Sequence, residues 1–186
     1  MVPRLLCLLV LLLEVRGLSL SLPHRKWAAL AFYTQLSNLI TAVSALLLVL
    51  AGGHMWTAAL RYVSTCMLVM TFFVTVFVLI PMGGDPKKLL WSGNGLYHHV
   101  LCPVISSLSY IFAEMHAGKK LIWLPVVLTF LYGMIMLYLN GKGKVDGPYP
   151  FFRVRSQSAA KTVLWMAVLT AVIAGISVLV FLCAGI

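Results

Sequence analysis

Apolar stretches alternate along this chain with short polar punctuation, and the stretches are too long for the core of a soluble domain. They cover residues 5–22, 27–50, 61–81, 96–115, 121–139 and 160–186. About 20 helical residues are needed to cross the ~30 Å hydrocarbon layer of a bilayer. Six spans therefore use up most of the 186 residues, and no separate soluble domain fits. Pro23-His24-Arg25-Lys26, Gly52-Gly53, Gly83-Gly84-Asp85-Pro86, Gly118-Lys119-Lys120 and the polar stretch 140–159 mark the connections. Connections this short make successive helices antiparallel neighbours. The expected fold is all-α: an integral membrane bundle of six transmembrane helices with short loops, one domain over residues 1–186.

Within the apolar runs, polar residues fall at helical spacing. In the second segment Thr34, Ser37, Asn38 and Thr41 stand at i, i+3, i+4 and i+7, on one side of a helix. In the fourth, His99, Pro103, Ser106, Tyr110 and Glu114 share one arc, while His98 points about 100° away. Ionisable groups at such depth face protein or water rather than acyl chains. The competing explanation is adhesion between helices, since Ser, Thr and Asn hydrogen-bond across spans at about 0.6 kcal/mol each. Thr71 and Thr75, one turn apart, read as backbone-bonded or packing residues.

Composition agrees with the pattern: 62% hydrophobic against 10% charged residues, with a mean hydropathy of +1.02. The net charge of +10 does not indicate nucleic acid, because the basic residues sit in short clusters beside apolar runs. Such clusters act as topology signals and contact lipid head groups, so the partners expected are membrane lipids. Ten of the fourteen Lys and Arg fall in the odd-numbered loops, among them Arg16, Arg25, Lys87, Lys142 and Arg155. Arg4, Arg61, Lys119 and Lys120 fall on the other side. The positive-inside rule puts the odd loops in the cytoplasm, in a plasma-membrane protein with both termini on the opposite side. Residues 1–22 also fit a signal peptide, with Arg4, an apolar run and the small residues Gly17, Ser19 and Ser21. Removing them would turn the basic side outward, so the charge count favours a first span.

Candidate chemistry is limited. Cys7, Cys66, Cys102 and Cys183 all lie in apolar segments without a C-x-x-C pair, which gives no zinc or redox motif. His98 and His99 alone cannot hold a metal, because neighbours on a helix point apart. No cofactor or metal is expected. Topology does bring three landmarks to one membrane face: Thr34, about seven residues or ~10 Å past Trp27, the histidine pair, and the loop with Asp146 and Tyr149. A hydroxyl near an imidazole suits acyl transfer, with the histidine as general base on Thr34 and Ser37 or Asn38 as oxyanion donors. Glu114 lies about 15 residues, or ~22 Å of helix, beyond His99. A dyad is expected, not a triad. The same polar stripes would equally line the cavity of a non-enzymatic transporter or sensor. Tyr149-Pro150-Phe151-Phe152 reads as an aromatic interface anchor.

The ordered set Phe32-Tyr33-Thr34-x-x-Ser37-Asn38-Leu39, Leu96-x-His98-His99-Val100-Leu101-Cys102-Pro103 and Gly143-x-Val145-Asp146-Gly147-Pro148-Tyr149-Pro150-Phe151 resembles the androgen-induced gene family of six-span membrane proteins. It is most similar to that family's bacterial members. The animal members are threonine hydrolases that cleave fatty acid esters of hydroxy fatty acids. The resemblance implies a lipid-ester hydrolase with Thr34 as nucleophile. The animal spacing of five residues before the proline lands on His98, the bacterial spacing of four on His99, and the helical arc favours His99. Ser37, Asn38, Ser106, Tyr110 and Tyr149 are then expected to surround the substrate.

Overall fold

In a computed structural model of the chain, residues 1–146 and 149–185 are described, those at 24–27 by backbone alone. Gly147-Pro148 of the loop motif and Ile186 at the end of the sixth expected span lie outside this set. Six helices are long and apolar enough to cross a membrane: α1 Val2–Pro23, α2 Tyr33–Ala51, α3 Met55–Leu79, α4 Asn94–Ala113, α5 Lys119–Gly141 and α6 Ala159–Cys183. No strand occurs among the described residues. The architecture is that of a multi-pass integral membrane protein.

Two boundaries differ from the sequence reading. The second span begins at Tyr33 rather than 27, because Lys26–Ala31 forms a 3-10 turn and Phe32 is extended at φ −90°, ψ 125°. The turn is held from outside, with the Tyr132 hydroxyl donating to the Ala31 carbonyl at 2.7 Å. The third span begins at Met55 rather than 61. His54 N–H donates to Thr57 Oγ1 at 2.8 Å, capping a helix start that hydropathy alone does not reveal. Arg61 is therefore inside a span and fully buried, not in a loop. Arg16 likewise lies within α1. Arg4, Lys119, Lys120 and Lys161 also fall within helix bounds, but in a first turn, and the bias toward the odd-numbered loops stands.

α3 is the axis of the bundle: 61% of its apolar window is buried, against 17% for α5, which faces outward. Lipid tails are as apolar as leucine, so no hydrophobic force draws spans together and polar contacts and close packing must do it. α3 supplies them at every level. Toward α2, Ser64 meets Ser44 and Thr71 meets Ser37, each at 3.0 Å. Toward α6, Tyr62 meets Ser177 at 2.7 Å. Toward α4 runs a ladder of three rungs. Arg61 donates from Nε and Nη2 to both oxygens of Glu114, at 2.9 and 3.0 Å. Thr65 meets Ser106 at 3.3 Å, and Thr75 meets His99 at 2.7 Å. The arc of α4 that begins at His99 is thus the face turned to α3.

Glycine sets the closest approach between helices. At Gly17 a Cβ would stand 2.8 Å from His98 Cε1 and 2.9 Å from Tyr97 Cβ, so only hydrogen lets α1 rest on α4 here. Gly52 ends α2 at φ +88°, in the left-handed region that side chains rarely adopt.

Candidate active site

The site lies where α2 begins and α3 ends. Ser37 and Thr71 hydrogen-bond across the two antiparallel helices. Thr34 is three residues from Ser37 and Thr75 four from Thr71, which moves both about 4.5–6 Å toward the same membrane face. The two threonines consequently stand at one depth on adjacent helices. Both line one narrow cavity. Its walls are largely aromatic and aliphatic, with Tyr132, Phe151, Phe152 and Leu169 among them.

Thr34 occupies the first turn of α2, where backbone N–H groups have no partner within the helix. The Tyr149 hydroxyl takes that role: it accepts from the Thr34 N–H and lies against Thr34 Oγ1, both at 3.2 Å. Tyr149 is buried, its ring stacked on Phe151 at 5.1 Å. The loop before α6 therefore reaches into the bundle and closes one wall. Ser37 and Asn38 stand behind Thr34, not in the cavity. Ser37 Oγ and Asn38 Nδ2 both donate to the Thr34 carbonyl, at 3.0 and 2.6 Å, so these donors are already engaged.

The two histidines part company. His99 Nδ1 is 2.7 Å from Thr75 Oγ1, on the α3 side. His98 faces α1, with Nε2 3.2 Å from Ser21 Oγ and Nδ1 4.0 Å from Glu14 Oε2. Ser21 in turn donates to Gln35 Oε1 at 2.8 Å. α4 is wedged between α1 and α3, so successive side chains about 100° apart serve different partners. Neither imidazole hydrogen-bonds to Thr34 among the described residues. No carboxylate pairs with His99 there, so the arrangement is a dyad.

A widened turn marks both members of that dyad. Residues Thr75–Leu79 of α3 and Tyr97–Leu101 of α4 each form one turn of π-helix. Ile80 N–H reaches back five residues to Thr75 O at 3.0 Å. Such bulges are rare and concentrate at functional sites. Here two of them meet at one hydroxyl–imidazole contact, while a third, Lys87–Trp91, lies in the exposed connection between α3 and α4.

Of the residues selected from sequence, Thr34 and Tyr149 come together, and His99 joins them through Thr75. Neither histidine lines the cavity: His98 faces α1, and His99 lies behind Thr75. Ser106 and Tyr110 belong to another region: Ser106 accepts from Arg61 Nη2 at 2.9 Å, and the Tyr110 hydroxyl accepts from Ala117 N–H at 3.0 Å. Thr71 and Thr75 are backbone-bonded as read, to Met67 O and Thr71 O, yet both also line the cavity. Their i, i+4 spacing on the helix after Arg61 was the available signal. Glu14 escaped as a functional candidate although a lone carboxylate in an apolar run is conspicuous. It is fully buried beside His98, at the contact between α1 and α4. The chain matches no family model, no curated protein and no solved structure, so the site's chemistry is read from its own geometry.

Proposed function

We propose that the chain is an intramembrane hydrolase of fatty acyl esters with a threonine nucleophile and a histidine base. One observation carries the reading. A threonine hydroxyl on the wall of a largely apolar cavity lies 2.7 Å from an imidazole nitrogen. Nucleophile and base within hydrogen-bond reach are the minimum for covalent acyl transfer, and a positioned histidine accelerates such proton transfers about 10²–10⁴-fold. The Thr34 and Tyr149 hydroxyls on the same cavity supply further polar contacts for an ester group. The resemblance to the androgen-induced gene family points to the same reaction class, though it implies Thr34 rather than Thr75 as nucleophile. We also propose the plasma membrane as the location, with the odd-numbered loops cytoplasmic, from the basic-residue bias.

The test is ester hydrolysis by purified protein in nanodiscs, using a long-chain fluorogenic ester. Turnover is expected in the wild type, and its loss in His99→Ala with thermal unfolding unchanged. Absence of turnover from well-folded wild-type protein defeats the reading. One observation favours a second reading, a cavity that binds or passes a small molecule without chemistry: the Thr34 hydroxyl is paired with a phenol, not an imidazole. That version predicts ligand-dependent thermal shifts that survive His99→Ala.

A further inference from the structure

We infer that the hydroxyl that takes the acyl group is Thr75, with Thr34 and Tyr149 holding the ester oxygen opposite it. The inference rests on the hydrolase reading and refines its site. A nucleophile must surrender its proton as it attacks, and the acceptor must already be within reach. Thr75 Oγ1 meets that condition at 2.7 Å from His99 Nδ1. Thr34 Oγ1 does not, since its partner is the phenol of Tyr149, a proton donor and not a base.

Hydrogen bookkeeping at Thr75 is consistent with the role. Its hydroxyl donates to the Thr71 carbonyl at 2.8 Å, and His99 Nδ1, 2.7 Å away, is a second acceptor when the imidazole carries its proton on Nε2. Rotation about the Cβ–Oγ1 bond moves the hydrogen between them, from a resting helix bond to the line of proton transfer. Thr34 fits the other role. It sits in the first turn of α2, at the positive end of that helix. Its N–H already donates to Tyr149 Oη, so a carbonyl oxygen gaining negative charge there meets the hydroxyl groups and a favourable dipole.

In the acylation step Thr75 Oγ bonds to the ester carbonyl carbon while its proton passes to His99 Nδ1. The carbonyl π pair moves to oxygen. Collapse of this intermediate breaks the bond to the alcohol, whose oxygen takes the proton from Nδ1 and leaves. Water then gives a proton to Nδ1 as its oxygen bonds to the acyl carbon. The bond to Thr75 breaks, Thr75 recovers the proton, and the fatty acid departs.

The experiment labels full-length protein in detergent micelles with an alkyl fluorophosphonate, which forms an O–P bond and releases fluoride. Tryptic digestion separates the candidates, because cleavage after Lys26, Arg61 and Lys87 puts Thr34 on peptide 27–61 and Thr75 on peptide 62–87. The adduct is expected on Thr75, retained in Thr34→Val and Thr75→Ser and lost in Thr75→Val. Turnover should fall about 10³-fold or more in Thr75→Val and about 10–10²-fold in Thr34→Val. An adduct on Thr34 in the wild type overturns the inference and leaves the hydrolase reading standing. No adduct together with no turnover, in protein that unfolds cooperatively, removes both. Mapping the wild-type adduct decides the matter even if a valine variant folds poorly.

Discussion

Replacing Glu114 by Gln tests the bundle's most exposed assumption, that Arg61 is paired inside the membrane. Arg61 is fully buried and gives two charge-assisted hydrogen bonds to Glu114, at 2.9 and 3.0 Å, and a third to Ser106 at 2.9 Å. Glu114 also accepts from Ser109 at 2.7 Å and from Cys7 at 3.4 Å, so its carboxylate ties α1, α3 and α4 together. Removing one partner of a buried pair leaves an uncompensated charge and costs about 3–5 kcal/mol. A glutamine amide would keep one acceptor oxygen but no charge, which places E114Q near the lower end of that range. Replacing both partners by Met should recover most of the loss, because a buried pair often contributes little beyond an apolar substitute of similar volume. The measurement is SDS-induced or thermal unfolding of the purified protein, followed by tryptophan fluorescence. A loss below about 1 kcal/mol in E114Q would refute the reasoning, since it would place Arg61 in contact with water.

Two other substitutions examine the α1–α4 contact and the insertion. Gly17→Ala should destabilise the bundle by about 1–3 kcal/mol, because the new methyl meets His98 Cε1 at 2.8 Å and Tyr97 Cβ at 2.9 Å and part of that obstruction lies close to the α4 backbone. Unchanged unfolding would mean that the helices pack farther apart. For orientation, a cysteine placed at the exposed Ser156 should react with a membrane-impermeant maleimide only after the cells are permeabilised. Labelling of intact cells would reverse the assigned topology.

The number of spans and their antiparallel order were legible in hydropathy, because a bilayer imposes a length that few other environments demand. The polar arc of α4 was legible as well: His99, Ser106, Tyr110 and Glu114 are all buried, on the helix face expected. What that arc meets was not. Arg61 read as a loop residue because a charge interrupts hydropathy, and only its partner 53 positions away makes burial tolerable. Thr75 read as packing because its helix bond to Thr71 is a local fact, whereas its contact with His99 depends on the register of two helices. Tyr149 read as an interface anchor from its neighbours and as a substrate contact from the resemblance, but sequence does not show the loop before α6 folding inward onto Thr34. In each case the missing information was a pairing distant along the chain, which no periodicity encodes.

The ladder between α3 and α4 also bears on why the proposed chemistry sits at one end of it. At the Arg61–Glu114 end, the two-bond ion pair and its serine partners fix helix register, and α3 runs as regular α-helix from Met55 to Val74 around it. At the other end, the same two helices widen into π-turns beginning at Thr75 and Tyr97. That widening brings a threonine hydroxyl and an imidazole together beside a cavity that α5, α6 and the Tyr149 loop complete. A site whose geometry must hold to fractions of an ångström gains from a rigid support one helix length away. On this argument, damage to Arg61 or Glu114 should loosen the Thr75–His99 contact before it unfolds the bundle, and catalysis should fail at lower denaturant than tryptophan fluorescence does.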